Sequence, residues 1–326
     1  MDYRRLGKTD LETSGIGFGC WTMGGPSWSE GESDGWAEVD EDEIADAIKI
    51  GIDAGVNHFD NADVYGNGRA ERMLRRVLDG IGVKSTEIII ATKVGWFRGT
   101  AEHAFEPQHI RHQCEQSLIN LNRDTIDLYY FHNADFGPGD RYLDDAIDVM
   151  NSLIQEGKVR FKGQSAYSAE DFERLVPKVQ PHVLQTWANA LDDQFIRPGS
   201  RLQTLMDQYD LGLVAFSPLA KGLLLDKFSA DDPPQFVSGD HRRGDERFSE
   251  ENLRKLQPKL EAIKERFGAT AEDLAAVALN FVLAHPRVSC VIPGFRNPRQ
   301  ASVNVAAAGT KLTPKDVEFI RRTLLS

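Results

Sequence analysis

Four residues able to carry or move a proton fall at regular places in this 326-residue chain. Asp60 ends the run Asn57-His58-Phe59-Asp60, and Tyr65 follows across Asn61-Ala62-Asp63-Val64. Lys93 follows the apolar run Ile88-Ile89-Ile90-Ala91-Thr92, and His132 follows Asp127-Leu128-Tyr129-Tyr130-Phe131. A phenol with an ordinary pKa of about 10 is a poor acid at neutral pH, but a nearby ammonium favours the tyrosinate and lowers that value. Lys93 is expected to do this for Tyr65, with Asp60 holding the lysine and balancing its charge. His132 would donate a hydrogen bond to the same substrate oxygen and fix its orientation. Such a set protonates an oxygen on which negative charge is developing, a general-acid effect of roughly 10² to 10⁴ in rate. Taken singly, each residue has an ordinary role: a turn cap, a packing ring, a solvated strand end, a histidine on a buried carbonyl. They form one site only if their strands lie parallel, side by side, with their carboxyl ends facing the same way.

The rest of the chain supplies that arrangement. From residue 15 onward, a short β-rich run followed by an amphipathic helical run repeats about eight times. Strands are expected at 15–20, 56–60, 87–92, 127–131, 159–163, 183–186, 212–216 and 288–292. Helices are expected at 42–54, 69–78, from Pro107 to residue 121, and at 143–155, 169–176, 200–209, 250–267, 271–284, 298–308 and 313–324. Residues 2–14 read as a small hairpin turning at Gly7-Lys8-Thr9-Asp10. The fold class predicted is α/β: a (β/α)8 TIM barrel with an N-terminal β-hairpin cap and extra C-terminal helices, residues 1–326 forming one domain. Two stretches interrupt the alternation. One is a polar, Gly-rich loop reaching about residue 38, whose Trp28 to Trp36 portion fits a substrate lid and a plain surface loop equally well; the other is a Pro, Gly, Asp and Arg-rich loop at 221–247.

Composition narrows the partners. A net charge of -12 argues against a general nucleic-acid or anionic-membrane binder, because both recruit Lys and Arg to meet phosphate. Three scattered cysteines, Cys20, Cys114 and Cys290, do not make a disulfide framework. No apolar run approaches the roughly 20 residues of a membrane helix, and the N-terminus lacks a signal-peptide core, so the expected location is cytoplasmic. His109 and His112 with Cys114 nearby read as a solvated helix face rather than a metal site. Oligomeric state is not legible.

The runs 57–66, Ile90-Ala91-Thr92-Lys93, 127–132, Phe216-Ser217-Pro218-Leu219 and Ile292-Pro293-Gly294-Phe295-Arg296-Asn297-Pro298, in this order, resemble the aldo-keto reductase superfamily. The pattern is most similar to the bacterial reductases and the potassium-channel β subunits. This resemblance implies hydride transfer from NADPH, with NADH also possible, to the carbonyl of an aldehyde, ketone or sugar-like substrate. Tyr65 would be the acid, Lys93 and Asp60 its tuning pair, and His132 the orienting group. The dinucleotide would lie extended across the barrel mouth, and the chain has no strand-linked Gly-x-Gly-x-x-Gly. By position, Ser165 and Gln185 would contact the nicotinamide carboxamide, and Asp60 is also expected among the cofactor-binding residues. Phe216 would stack on the ring where the family usually has Tyr, and Trp21 would flank the reacting carbon. Ser217, Pro218, Leu219, Lys221, Gly222 and Lys227 match the pyrophosphate loop. Gly294, Arg296, Gln300 and Asn304 match the adenine and ribose-phosphate segment, and Arg296 and Arg299, before a helix N-terminus, suit a 2′-phosphate.

Three departures from the family pattern bear on cofactor affinity. Ser-Asn after the fifth strand reads Ser165-Ala166, Gln-x-x-Tyr-Asn after the sixth reads Gln185-Thr186-Trp187-Ala188-Asn189, and Gln-x-x-Glu-Asn near the adenine reads Gln300-Ala301-Ser302-Val303-Asn304. Two other functions are weighed against the reductase: a nucleotide-sensing regulatory subunit that binds NADPH and turns over slowly, and a metal-dependent barrel hydrolase using Asp60 and His132 as ligands.

Overall fold

The computed structural model describes residues 1–29, 31–37 and 39–325. A hairpin of β1 (Tyr3–Arg5) and β2 (Glu12–Ser14) precedes β3 (Phe18–Gly19). A second hairpin follows, β4 (Pro26–Ser29) and β5 (Glu32–Gly35), then α1 (Glu41–Asp53). Strand and helix now alternate: β6 (His58–Asp60), α2 (Arg69–Ile81), β7 (Ile89–Val94), α3 (Pro107–Leu121), β8 (Ile126–Phe131), α4 (Leu143–Gln155), β9 (Val159–Ser165), α5 (Ala169–Val179), β10 (Val183–Trp187), α6 (Arg201–Tyr209) and β11 (Gly212–Phe216). After a long loop come α7 (Glu250–Phe267), α8 (Ala271–Leu283), β12 (Val288–Ile292), α9 (Pro298–Ala306) and α10 (Pro314–Leu324).

The main sheet has eight strands in the order β12-β11-β10-β9-β8-β7-β6-β3, all pairs parallel. Parallel bridges from Ile16 to Val291 and from Gly19 to Gly294 join its two edges, closing the barrel. Side chains alternate across a strand, so residues two apart share a face. Ile89 and Ala91 of β7 therefore enter the barrel interior with Leu128 and Tyr130 of β8 and Val214 of β11, while Ile90 and Val94 pack outward among the helices. The same parity places His58 and Asp60, Lys93, Ser165 and Gln185 inward, at or near the carboxyl ends of their strands.

Leu6 and Leu11 of the N-terminal hairpin join the interior cluster and seal the opposite end. The turn is clamped by a bond from the Lys8 N–H to the His182 carbonyl at 3.2 Å. Gly7 has φ +56°, and a Cβ on it would lie 2.2 Å from that same carbonyl oxygen. Gly7→Ala should therefore cost about 1–3 kcal/mol. The measurement is the denaturation midpoint at unchanged slope; an unmoved midpoint would mean that the hairpin does not clamp the barrel.

Most expected elements stand within a few residues of their expected bounds. The main correction lies after the first strand, where the expected loop contains the antiparallel β4–β5 pair. Gly31 turns it at φ +84°, and the Asn67 side chain fastens it, accepting from the Trp28 N–H at 2.7 Å and donating to the Trp28 carbonyl at 2.9 Å. Glu38, the expected end of that loop, lies outside the described residues. A smaller correction concerns β7, which runs on to Val94, so Lys93 sits inside the strand rather than just past it.

Candidate active site

Lys93 is fully buried, and its ammonium uses all three donors. It bonds Asp60 Oδ1 at 2.5 Å, the Asn61 carbonyl at 2.7 Å and the Tyr65 hydroxyl oxygen at 3.1 Å. The second Asp60 oxygen accepts from Gln185 Nε2 at 2.8 Å, so both carboxylate oxygens are engaged and the buried pair is fully satisfied. Because an ammonium only donates, the phenol oxygen is the acceptor in its bond to Lys93, and the phenol proton is left to point elsewhere. Tyr65 lines the large cleft at the barrel mouth, with His132 beside it at a ring separation of 5.8 Å and Trp21 stacked at 5.9 Å.

The electrostatics reverse one expectation. Burial, and then the Asp60 carboxylate, push the Tyr65 hydroxyl well above its usual value instead of letting Lys93 pull it down. Asp60, in contact with Lys93, opposes the pull of the ammonium on the phenol, and burial decides the direction. Tyr65 therefore rests fully protonated. Burial, and then Lys93, hold His132 well below 6.5, so it is a neutral imidazole. The neighbouring Asp63 is raised to about 7 by burial, against a hydrogen bond from Gln113.

The cleft has a volume of about 760 Å³ and runs from this cluster across the barrel end. Every residue expected against the cofactor lines it, from Trp21, Ser165 and Phe216 through the segment after β11 to Gly294, Arg296, Gln300 and Asn304. The Ser165 hydroxyl is buried without a partner among the described residues. The loop after β11 holds Ser217, Ala220, Lys221, Gly222 and Asp226 at φ between +47° and +94°, left-handed backbone of the kind that turns successive N–H groups toward an anion. Gly222 suits its φ of +94°, a backbone conformation that other residues adopt with strain.

At the far end, Lys227 and Arg296 have no carboxylate partner among the described residues, while Arg242 is paired with Asp240 at 2.8 Å. Burial and mutual repulsion within this cationic group lower both Lys227 and Arg296. Two uncompensated cations in a half-buried cleft suit an anion such as a phosphate. The expected partner Arg299 is engaged by Glu272 of α8 and does not share this deficit. Gln300 and Asn304 organise their own loop: Gln300 accepts from the Arg296 N–H at 2.9 Å and Asn304 donates to the Gly294 carbonyl at 3.2 Å.

Trp36, just after β5 and at the end of the stretch weighed as a lid, packs against Trp21 and under the Arg242 guanidinium. Other lining residues escaped the sequence reading: His241 of the long loop bonds Asp34 at 3.2 Å. The hairpin and the long loop thus meet over the cleft. The pair Arg242-Arg243 amid an acidic stretch was the available signal for a local anion site. Thr22 locks the turn carrying Trp21 to the β12 loop through paired bonds with the Phe295 backbone at 2.6 and 2.9 Å, and nothing in its sequence context marked it.

Comparison with known proteins agrees with this geometry. The chain is 28% identical over 344 residues to a probable voltage-gated potassium channel subunit beta of Oryza sativa, covering 100% of this chain and 97% of that one. It is 26% identical to the L-galactose dehydrogenase of Arabidopsis thaliana, over 94% and 88% of the two chains. The glycerol dehydrogenase of Gluconobacter oxydans superposes with a TM-score of 0.80 at 25% identity, over 99% and 95%. The sequence profile described as the Aldo/keto reductase family matches residues 15–324, and the chain, an oxidoreductase by that descent, belongs to this family.

Proposed function

We propose that the protein is an NADP(H)-dependent reductase of aldehydes, ketones or sugar-like carbonyls, with Tyr65 as general acid and the whole chain acting as one catalytic domain. The observation that carries this reading is the bonding of Lys93: its three protons are spent on Asp60, Asn61 and the Tyr65 oxygen, which leaves the phenol proton of a residue lining the cleft for another acceptor. A bound nicotinamide would supply hydride to the carbonyl carbon. Tyr65 donates its proton to the carbonyl oxygen, and neutral His132 hydrogen-bonds that oxygen and sets its position. Asp60 keeps Lys93 in place, and Trp21 closes one side of the reacting carbon. Ser165 and the free oxygen of Gln185 would hold the carboxamide, Phe216 would back the ring, and the left-handed loop with Lys221, Gly222 and Lys227 would cradle the pyrophosphate.

Oxidation of NADPH by purified protein across a carbonyl panel is the test, and a protein that binds NADPH but oxidises it with none of them would overturn the reading. That outcome would favour the second reading, a slow nucleotide-sensing subunit, whose support is the similarity to the plant channel β subunits.

Arg296 is the proposed 2′-phosphate contact. Arg296→Ala should raise the Kd for NADPH roughly 10- to 100-fold, the range of a charged hydrogen bond, and that for NADH by much less. Fluorescence titration of the reduced nicotinamide reads both, and equal losses would remove Arg296 from that role.

A further inference from the structure

A second cleft, of about 590 Å³, lies between the loops that follow β7 and β8, and it shares two of its walls, Trp96 and Tyr167, with the first. Both rings are exposed, 47% and 44%, and they stand edge to face at 6.3 Å. Trp96 is also 6.2 Å from His132, so the pair separates the proton-transfer cluster from the second cleft. The floor is rigidly held. Asn133 donates to the Gly95 carbonyl at 2.7 Å and accepts from the Asp135 N–H at 2.9 Å, while Arg174 ties Ala134 and Asp171 to the same platform.

The rim is polar: Glu102, His103, Asp135 and Asp171, with Arg98, which donates to the Glu102 carbonyl at 3.3 Å. An apolar tail entering here would strip water from carboxylates and return nothing. An anionic tail would meet the Asp135 carboxylate directly, beside Glu102 and Asp171, which Arg141 at 3.6 Å and Arg174 at 3.0 Å partly neutralise. A hydroxylated ring suits both parts, its C–H faces lying on the two aromatic plates and its hydroxyl edges reaching the carboxylates. Resting on the carbonyl-reductase reading, we propose that the substrate extends past Tyr65, between Trp96 and Tyr167, and that its distal portion is a sugar-like ring held in this second cleft.

The test compares glycolaldehyde with the same aldehyde carrying a glucosyl group on its hydroxyl. The wild-type protein should prefer the glucosylated compound by about tenfold or more in kcat/KM, about 1.4 kcal/mol in transition-state binding. Asp135→Trp, which fills the cleft, should erase that preference and leave glycolaldehyde within about twofold. Asp135→Asn preserves the turn to Gly137 that Asp135 accepts, and should cost the glucosylated substrate a few-fold only. Ethyl glucoside, which cannot react, should show saturation transfer by NMR with the wild type and lose it with Asp135→Trp. Equal efficiency for the two aldehydes, equal losses for both in Asp135→Trp, or preference for a quaternary-ammonium aldehyde would overturn the proposal. Failure with every aldehyde would count against the reductase reading instead, and the ethyl glucoside measurement would still decide the cleft.

Discussion

Tyr65→Phe should lower carbonyl reduction by about 10² to 10⁴ while leaving the Kd for NADPH within a few-fold of wild type. The substitution removes one oxygen, whose bonding partner is Lys93 at 3.1 Å, and keeps the ring that stacks on Trp21. Lys93 retains its bonds to Asp60 and Asn61, so the fold is not asked to bury a bare ammonium. What disappears is the proton that the proposed mechanism transfers to the carbonyl oxygen, while His132 still lines the same cleft. The pH dependence follows from the direction of the Tyr65 shift. The acid acts in its protonated form, and a raised pKa keeps that form populated until well above pH 10. Ionisation of Tyr65 should therefore put no falling limb on the rate between about pH 6 and 9. A basic limb near pH 8 in the wild type that vanishes in Tyr65→Phe would show that the phenol is acidified after all. Retention of more than a tenth of the wild-type rate in Tyr65→Phe would give proton donation to another group.

The barrel was legible because parallel strands buried on both faces write continuous apolar runs. Asp60, Lys93 and His132 were legible because each interrupts or follows such a run, and Tyr65 because it comes five positions after the first of them. Lys93 is the clearest case: no lysine enters a fully buried strand without a partner, and Asp60 is the partner on the neighbouring strand. The sign of the Tyr65 shift was not legible, because it depends first on how deeply the phenol is buried and then on the nearness of Asp60, neither of which spacing shows. The β4–β5 hairpin was hidden for a different reason. Its stretch, Pro26-Ser27-Trp28-Ser29 and Glu32-Ser33-Asp34-Gly35, has little apolar alternation and is held by side chains far away in sequence, Asn67 and His241. Arg299 shows the same limit in the cofactor segment. Its position at the start of α9 suggested a phosphate ligand, and only the packing of α8 beside α9 brings Glu272 to it.

Lys93→Met should be both inactive and unstable, and the two losses should separate on adding a second change. Removing the ammonium leaves the Asp60 carboxylate 2% exposed, with Gln185 as its remaining side-chain donor. Breaking a buried pair at one partner costs about 3–5 kcal/mol, because the other charge stays behind unpaired. Adding Asp60→Asn removes that charge and should restore much of the loss, since a neutral amide beside Gln185 and a thioether carries only the ordinary demand of a polar group. Neither protein should reduce carbonyls at more than about a hundredth of the wild-type rate, because the Tyr65 oxygen has lost the donor that fixes its direction. Denaturation midpoints and NADPH oxidation, measured on the single and double variants, read the two effects independently. A single variant within about 1 kcal/mol of wild type would mean that Asp60 finds water or a proton once the ammonium has gone. A double variant no more stable than the single would place the cost of Lys93→Met in packing rather than in charge.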